Sequence, residues 1–300
     1  MKKIDFELVS VYKNNKLLYK ESAIYVCLSV ANIEAYFQLD TGCPYSFIDE
    51  DFYSKFLKAK NIKKHNKLKQ DNFFTKEFHY LEDIDFLYKK KLIHKQEYVF
   101  LEKNHTKKEQ SKIKIHTQKD IPFGGYLGFD FIESKVVEIN YIDKQIVFYN
   151  KNSIPNNHHL IDIKINKRAV LFNATFNKES LICLFDTATS NFNIILENST
   201  FKKTCGNLIN YEQIIRPDFK LRVYNKTLKK FNIQILNKNI ILRDTKVYTN
   251  TKKHNNYFFG VGLHNSIIGN SLFKNSKLFL DLINMKAKIE DNIYLTHNVN

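Results

Sequence analysis

The chain is written twice. Displaced by 146 residues, Tyr25-Val26-Cys27-Leu28-Ser29-Val30 falls on Leu171-Phe172-Asn173-Ala174-Thr175-Phe176. In the same register, and without a gap, Ala35-Tyr36-Phe37-Gln38-Leu39-Asp40-Thr41-Gly42 falls on Leu181-Ile182-Cys183-Leu184-Phe185-Asp186-Thr187-Ala188. A second pair of blocks closes each half: Tyr126-Leu127-Gly128 before Val136-Val137-Glu138-Ile139-Asn140, and Ile267-Ile268-Gly269 before Leu278-Phe279-Leu280-Asp281. Gly128 to Asn140 is 12 positions, as is Gly269 to Asp281, whereas Asp40 to Gly128 spans 88 and Asp186 to Gly269 spans 83. The chain must therefore fold as two copies of one unit that differ mainly in loop length. Of the eight glycines, only Gly206 lies away from these blocks, which suggests positions where a Cβ is excluded.

Length agrees, since 300 residues exceed the usual single core. With 43% hydrophobic residues there is apolar material for two modest cores. Short β-branched and aromatic runs (Phe6 to Tyr12, Ala23 to Val30, Tyr98 to Leu101, Lys144 to Tyr149, Leu160 to Ile165, Phe231 to Ile235) are separated by Asn, Lys and Asp turns, an all-β pattern. Helix is expected only at Glu50 to Lys60, with a helical turn at Phe131 to Lys135. The polar stretch Asn152-Ser153-Ile154-Pro155-Asn156-Asn157 divides the chain into lobes 1–152 and 153–300. Lys103 to Lys119 reads as a solvated insertion.

Charge permits more functions than composition supports. The balance of 47 basic and 31 acidic residues gives +16. Only four of the basic residues are arginines (Arg168, Arg216, Arg222, Arg243), and base readout and phosphate clamping favour arginine, so nucleic acid is not the expected partner. Cys27, Cys43, Cys183 and Cys205 have neither disulfide nor zinc spacing, which suggests free thiols in a cytoplasmic, reducing setting without a metal. Met1-Lys2-Lys3-Ile4-Asp5-Phe6-Glu7 places acids where a secretory signal needs an apolar stretch, and no run is long enough for a membrane span.

Each Asp-Thr-Gly/Ala tripeptide ends an apolar strand and is followed later by an apolar-apolar-Gly block. In this the sequence resembles the aspartic protease superfamily, the pepsin-like and retropepsin-like enzymes. The resemblance covers the chain in outline but rests on about four short blocks. It implies two homologous barrel-like lobes of the acid protease fold in a monomer, with a peptide or protein substrate held in the interlobe cleft. Asp40 and Asp186 would meet on a pseudo-twofold axis as the catalytic pair, with no cofactor. Thr41 and Thr187 match the threonines that bond across to the opposite loop, and Thr189 matches a hydroxyl that bonds the outer carboxylate oxygen; Cys43 is its first-lobe equivalent. Gly42 fits the family pattern. Ala188 departs from it, placing a methyl group where substrate backbone would pass.

The family also implies a flap hairpin in the region between each aspartate and its glycine block. Asn66 to His79, with Phe73, Phe74 and Thr75, and Asn207 to Arg222, with Tyr211, are the candidates. Asp130, beside Gly128, reads as a turn or helix cap rather than a third acid. His158-His159 reads as solvated linker. Two carboxylates in contact cannot both ionise cheaply, so a shared proton makes one a base and the other an acid toward a bridging water. The alternative is a catalytically impaired, peptide-binding relative, motivated by Ala188 and Cys43.

Overall fold

The computed structural model describes residues 1–13, 16–68, 78–102, 121–150, 159–189, 192–206, 210–215, 220–236, 238–250 and 262–290. The first half forms β1 (Lys2–Lys13), β2 (Lys16–Val30), β3 (Ile33–Leu39), β4 (Phe47–Asp49), β5 (His65–Leu68), β6 (Phe78–Tyr88), β7 (Lys91–Glu102), β8 (Phe123–Leu127), β9 (Val136–Asn140) and β10 (Gln145–Tyr149). The second forms β11 (Ile161–Asp162), β12 (Lys164–Asn166), β13 (Ala169–Phe176), β14 (Glu179–Phe185), β15 (Ile194–Leu196), β16 (Asn210–Ile215), β17 (Lys220–Ile235), β18 (Lys238–Asn250), β19 (Ser266–Ile268), β20 (Lys277–Asp281) and β21 (Lys286–Glu290). The protein is predominantly β, as the alternation of apolar and polar residues requires.

Both halves close the same ring of six strands. In the first the order is β2-β3-β8-β4-β7-β6, returning to β2 where Ser29 faces Leu87. In the second it is β13-β14-β19-β15-β18-β17, returning to β13 where Phe176 faces Ile233. Even the sense of pairing is copied: β3–β8 and β14–β19 are parallel, β4–β8 and β15–β19 antiparallel, β4–β7 and β15–β18 parallel. Local sequence sets the opening hairpin of each ring. Ala31 and Asn32 (φ 50° and 63°) turn β2 into β3, and Asn177 and Lys178 (φ 49° and 68°) turn β13 into β14. Two consecutive left-handed residues are what a two-residue hairpin turn of primed type demands.

A six-strand arm in the order β11-β21-β20-β9-β10-β1, continuous with the first ring where β1 pairs with β2, joins the halves. At its centre β9 and β20 run antiparallel, with Val136 opposite Asp281 and Asn140 opposite Lys277, so exchanging the strands leaves the register unchanged. The pair Glu138–Phe279 in the middle marks the pseudo-twofold axis. This sheet also changes the expectation of two cores. The main buried cluster is continuous, running from Ile4 and Phe37 in one half to Phe172 and Ile289 in the other, with Tyr141 and Phe273 stacked at 6.3 Å between ring centroids.

Other local expectations need correction. Leu160 to Ile165 is two short strands, β11 and β12, which belong to different sheets. The helical turn near Phe131 begins earlier, at Phe129–Phe131. Glu50 to Lys60 is helical throughout but passes from α (Glu50–Phe52) to π (Tyr53–Leu57) to 3-10 geometry (Lys58–Lys60). Asp49 caps its start by accepting from Asp51 and Phe52 N–H, and left-handed Asn61 ends it. The helix Asn198–Cys205, which buries Thr200, Phe201 and Cys205, was not anticipated. The boundary stretch Asn152 to Asn157, the insertion Lys103 to Lys119 and His158 lie outside the described residues, while His159 is exposed in a left-handed turn (φ 67°).

The glycines of the two closing blocks lie against the loops that follow the aspartates. A Cβ on Gly128 would stand 2.3 Å from the Tyr45 carbonyl carbon, and one on Gly269 would stand 2.4 Å from the Thr189 carbonyl oxygen. Backbone cannot yield as a flexible side chain can, so Gly128→Ala and Gly269→Ala should each lower unfolding stability by about 3 kcal/mol, measured by urea denaturation.

Candidate active site

Each aspartate loop is hung from its own ring in the same way. Asp40 follows β3 and donates its N–H to Leu127 O at 2.8 Å; Asp186 follows β14 and donates to Ile268 O at 3.0 Å. Cys43 N–H returns to Asp40 Oδ1 at 3.1 Å, and Thr189 N–H returns to Asp186 Oδ1 at the same distance. Both carboxylates are thus pinned by the loop that carries them, the local bonding that suits Asp to tight turns.

The loops are then tied to each other. Thr41 Oγ1 donates to Phe185 O at 2.9 Å and accepts from Thr187 N–H at 3.1 Å. Reciprocally, Thr187 Oγ1 donates to Leu39 O at 2.7 Å and accepts from Thr41 N–H at 3.0 Å. Both threonines are fully buried. A hydroxyl carries one donor and two acceptor sites, so each satisfies two backbone groups that water cannot reach.

Gly42 brings the loops closest. A Cβ there would lie 2.4 Å from Asp186 Cγ, so the absent side chain faces the opposite carboxyl group. The counterpart of Gly42 in the repeat, Ala188, does carry a methyl, and the two carboxylates therefore sit in unequal surroundings. For Gly42, at least, the constraint comes from the opposing aspartate rather than from a passing substrate backbone.

The supporting groups are unequal too. Ala188 N–H donates to Asp186 Oδ1 at 2.8 Å, and Thr189 Oγ1 donates to Asp186 Oδ2. The Cys43 thiol instead donates to Tyr45 O at 3.2 Å. Burial, and next the charge of Asp40, push that thiol well above its ordinary pKa, so a reactive thiolate is disfavoured.

β5 pairs with β6 and β16 with β17 at the same place in each ring, in the segments named as flap candidates. Phe73, Phe74, Thr75 and the tip at 216–219 lie outside the described residues, as does the Tyr211 side chain. On the first-lobe side Tyr45, Phe47 and Phe100 are buried together with Phe78, Tyr80 and Tyr126 packed on them. On the second-lobe side Leu184, Phe192, Ile195, Val223, Tyr248 and Ile267 cluster, with fewer aromatics.

Asp130 lies in the short turn Phe129–Phe131, one of its two expected roles, but its side chain caps no helix. It is buried and accepts from Ser46 N–H at 2.9 Å, Ser46 Oγ at 2.6 Å and Gln96 Nε2 at 3.0 Å, while Ser46 Oγ accepts from Gly128 N–H at 3.0 Å. The chain of bonds continues from Gln96 Oε1 to His94 Nε2 at 2.5 Å and from His94 Nδ1 to Lys135 Nζ at 2.9 Å. Since an ammonium only donates, His94 accepts at Nδ1 and its proton is on Nε2. The second lobe uses neutral groups near the corresponding glycine: Asn270 Nδ2 donates to Thr187 O at 2.6 Å and accepts at Oδ1 from Tyr141 OH at 2.7 Å. Neither support was foreseen, although Asp130 and Asn270 both stand beside the glycine blocks.

Among the described residues no cluster of His, Cys, Asp and Glu is suited to a metal ion, and no helix is long and apolar enough to cross a membrane. All four cysteines are free. Neither a scan against protein-family models nor a search of curated proteins found a match to the chain.

Replacing one threonine of the interlocked pair by valine keeps shape but leaves buried backbone groups unpaired. Thr41→Val and Thr187→Val should each cost about 2–4 kcal/mol of stability, and the double variant should cost less than their sum in a double-mutant cycle.

Titration of the Asp130 chain has opposing signs. Burial pushes Asp130 up to about 6, so its contribution to stability is full below about pH 4 and is lost as pH rises through 6. Burial, and then Lys135, push His94 down to about 4, so its contribution is full above about pH 6.5 and is lost as pH falls toward 4. Relative to the parent protein, Asp130→Asn should therefore lose stability on acidification from pH 6 to 4, and His94→Gln should gain it, as read by thermal unfolding across that range.

Proposed function

We propose that the protein is an aspartic endopeptidase of the pepsin-like and retropepsin-like kind, with Asp40 and Asp186 as its catalytic pair. The observation that carries this reading is the reciprocal exchange of hydrogen bonds between Thr41 and Thr187, which holds two aspartate loops face to face across a pseudo-twofold axis. Matching six-strand rings and a shared central sheet add to it. On this reading the two lobes are 1–152 and 153–300, and an extended peptide binds between them.

The chemistry needs no covalent intermediate. With one proton between the two carboxyl groups, the ionised one takes a proton from a water molecule as its oxygen attacks the peptide carbonyl, and the protonated one donates to the developing oxyanion. The tetrahedral diol collapses as one carboxyl passes its proton to the departing amine and the other takes a proton from a diol hydroxyl, so the C–N bond breaks, the carbonyl re-forms and the pair is left with one shared proton. Gly42 and the threonines contribute by holding the two aspartate loops together, and the N–H groups of Cys43, Ala188 and Thr189 help to fix the orientation of the carboxyl groups.

The unequal surroundings of the aspartates favour a second reading, a relative that binds peptides and turns them over slowly or not at all. Activity separates the two. Cleavage of an unfolded protein at mildly acidic pH should fall to background in Asp40→Asn and in Asp186→Asn alike, because groups that act as one unit lose nearly everything when either is removed. Gly42→Ala, which drives a methyl into the Asp186 carboxyl, should lose at least 100-fold, whereas Ala188→Gly should raise turnover. A folded parent protein that cleaves nothing under these conditions overturns the enzymatic reading.

A further inference from the structure

Among the described residues three buried side-chain atoms have no hydrogen-bond partner: both carboxamide atoms of Asn225 and the hydroxyl of Thr249. Both residues are fully buried. They do not form one site, because Asn225 stands opposite Tyr248 while Thr249 stands opposite Tyr224, and neighbouring residues of a strand point to opposite faces. Asn225 shares its face with Val223, two residues before it, and with Tyr248 across the ladder. Those two residues belong to the apolar cluster that also contains Leu184 and Ile267, the strand residues leading into Asp186 and Gly269. The unpartnered carboxamide therefore sits on the apolar face beside the second aspartate.

The first lobe shows what this position holds in the other copy. Tyr80 stands opposite Phe100 and His65, as Asn225 stands opposite Tyr248 and Asn210. Tyr80 is half-buried among aromatic rings and stacks on His65 at 5.1 Å. An aromatic wall on one side of the pair thus faces a wall containing a carboxamide on the other.

We propose that the second-lobe face is a substrate subsite for a side chain bearing a carboxamide or hydroxyl group, and that Asn225 is the residue that selects it. A carboxamide buried without partners is costly in the ligand-free protein, where an apolar residue of similar shape is not. A bound Asn, Gln, Ser or Thr side chain supplies donor or acceptor groups that Asn225 lacks, whereas Leu leaves the carboxamide unpaired and is rejected. Phe192 and Tyr248, edge-on with centroids 4.6 Å apart, belong to the same cluster and must part to admit that side chain. Selection and opening are then one event.

This inference rests on the peptidase reading, but its test does not depend on turnover. Peptide libraries cleaved by the parent protein should show Asn, Gln, Ser or Thr favoured over Leu by about tenfold or more at one position near the cut, and Asn225→Val should abolish that preference or turn it toward Leu. Thermal unfolding of Asn225→Val should be unchanged or raised, which establishes that the variant is folded. In parallel, an array of immobilised peptides with Asn, Gln, Ser, Thr or Leu at each position is probed with full-length Asp40→Asn and with Asp40→Asn/Asn225→Val. Polar preference in the first and not the second supports the subsite even if the parent protein cleaves nothing, an outcome that would count against the enzyme alone. Identical profiles with and without Asn225, or no polar preference in either assay, overturn the proposal.

Discussion

Through Thr41 and Thr187 the two aspartate loops exchange four hydrogen bonds, and the geometry between the halves depends on that exchange. Each hydroxyl reaches the carbonyl two residues before the other threonine and receives the other threonine's N–H. Neither loop can keep its backbone groups satisfied in the absence of its partner, because both threonines are sealed from water. Such mutual dependence requires a surface that is complementary to itself, the condition met at a twofold interface between identical subunits. Internal duplication meets it within one chain.

Around that fixed exchange the copies have diverged. Gly42 leaves room for the Asp186 carboxyl, while the corresponding residue is Ala188. Thr189 contributes a hydroxyl to Asp186, while the Cys43 thiol turns to Tyr45 O. The glycine block of the first lobe is held through ionisable Asp130 and that of the second lies beside neutral Asn270. The hydrogen bonds that tie the two loops together are kept in both copies, whereas the residues that support a single loop, and the Gly42 and Ala188 positions, differ. That is the pattern expected if a change in the shared bonds harms two loops and a change elsewhere harms one.

Much of this was legible in the sequence because the repeat is a linear signal. The displacement of 146 residues that aligns the tripeptides is also the separation of the two bonded threonines. The opening hairpins were visible as polar turns, and Glu50 to Lys60 as a helix, to which the structure adds the Asp49 cap and the Asn61 stop. What was not legible involves partners far away in sequence or signals too short to have a period. Asn198–Cys205 is eight residues long and buries only Thr200, Phe201 and Cys205, so it offers barely two turns of apolar spacing. Tyr141 and Asn270 are 129 residues apart, and nothing local marks their bond. Asp130 was read as a turn or helix cap because a short acid beside glycine commonly is one, while its partners Ser46, just before β4, and Gln96, on β7, are brought near only by tertiary pairing.

The central strands carry a trace of how far the duplication has gone. Glu138 is buried on the axis directly across from Phe279, and it accepts a hydrogen bond from Tyr149 OH at 2.8 Å. If the first half were released and paired with a second copy of itself in this register, Glu138 would face Glu138, two carboxylates opposed in a buried ladder. The second half would place Phe279 against Phe279, an apolar pair. An ancestral homodimer could not have carried Glu138 at its axis cheaply, so fusion has freed this strand from the demand of self-complementarity, and the first half can no longer readily return to life as a symmetric dimer.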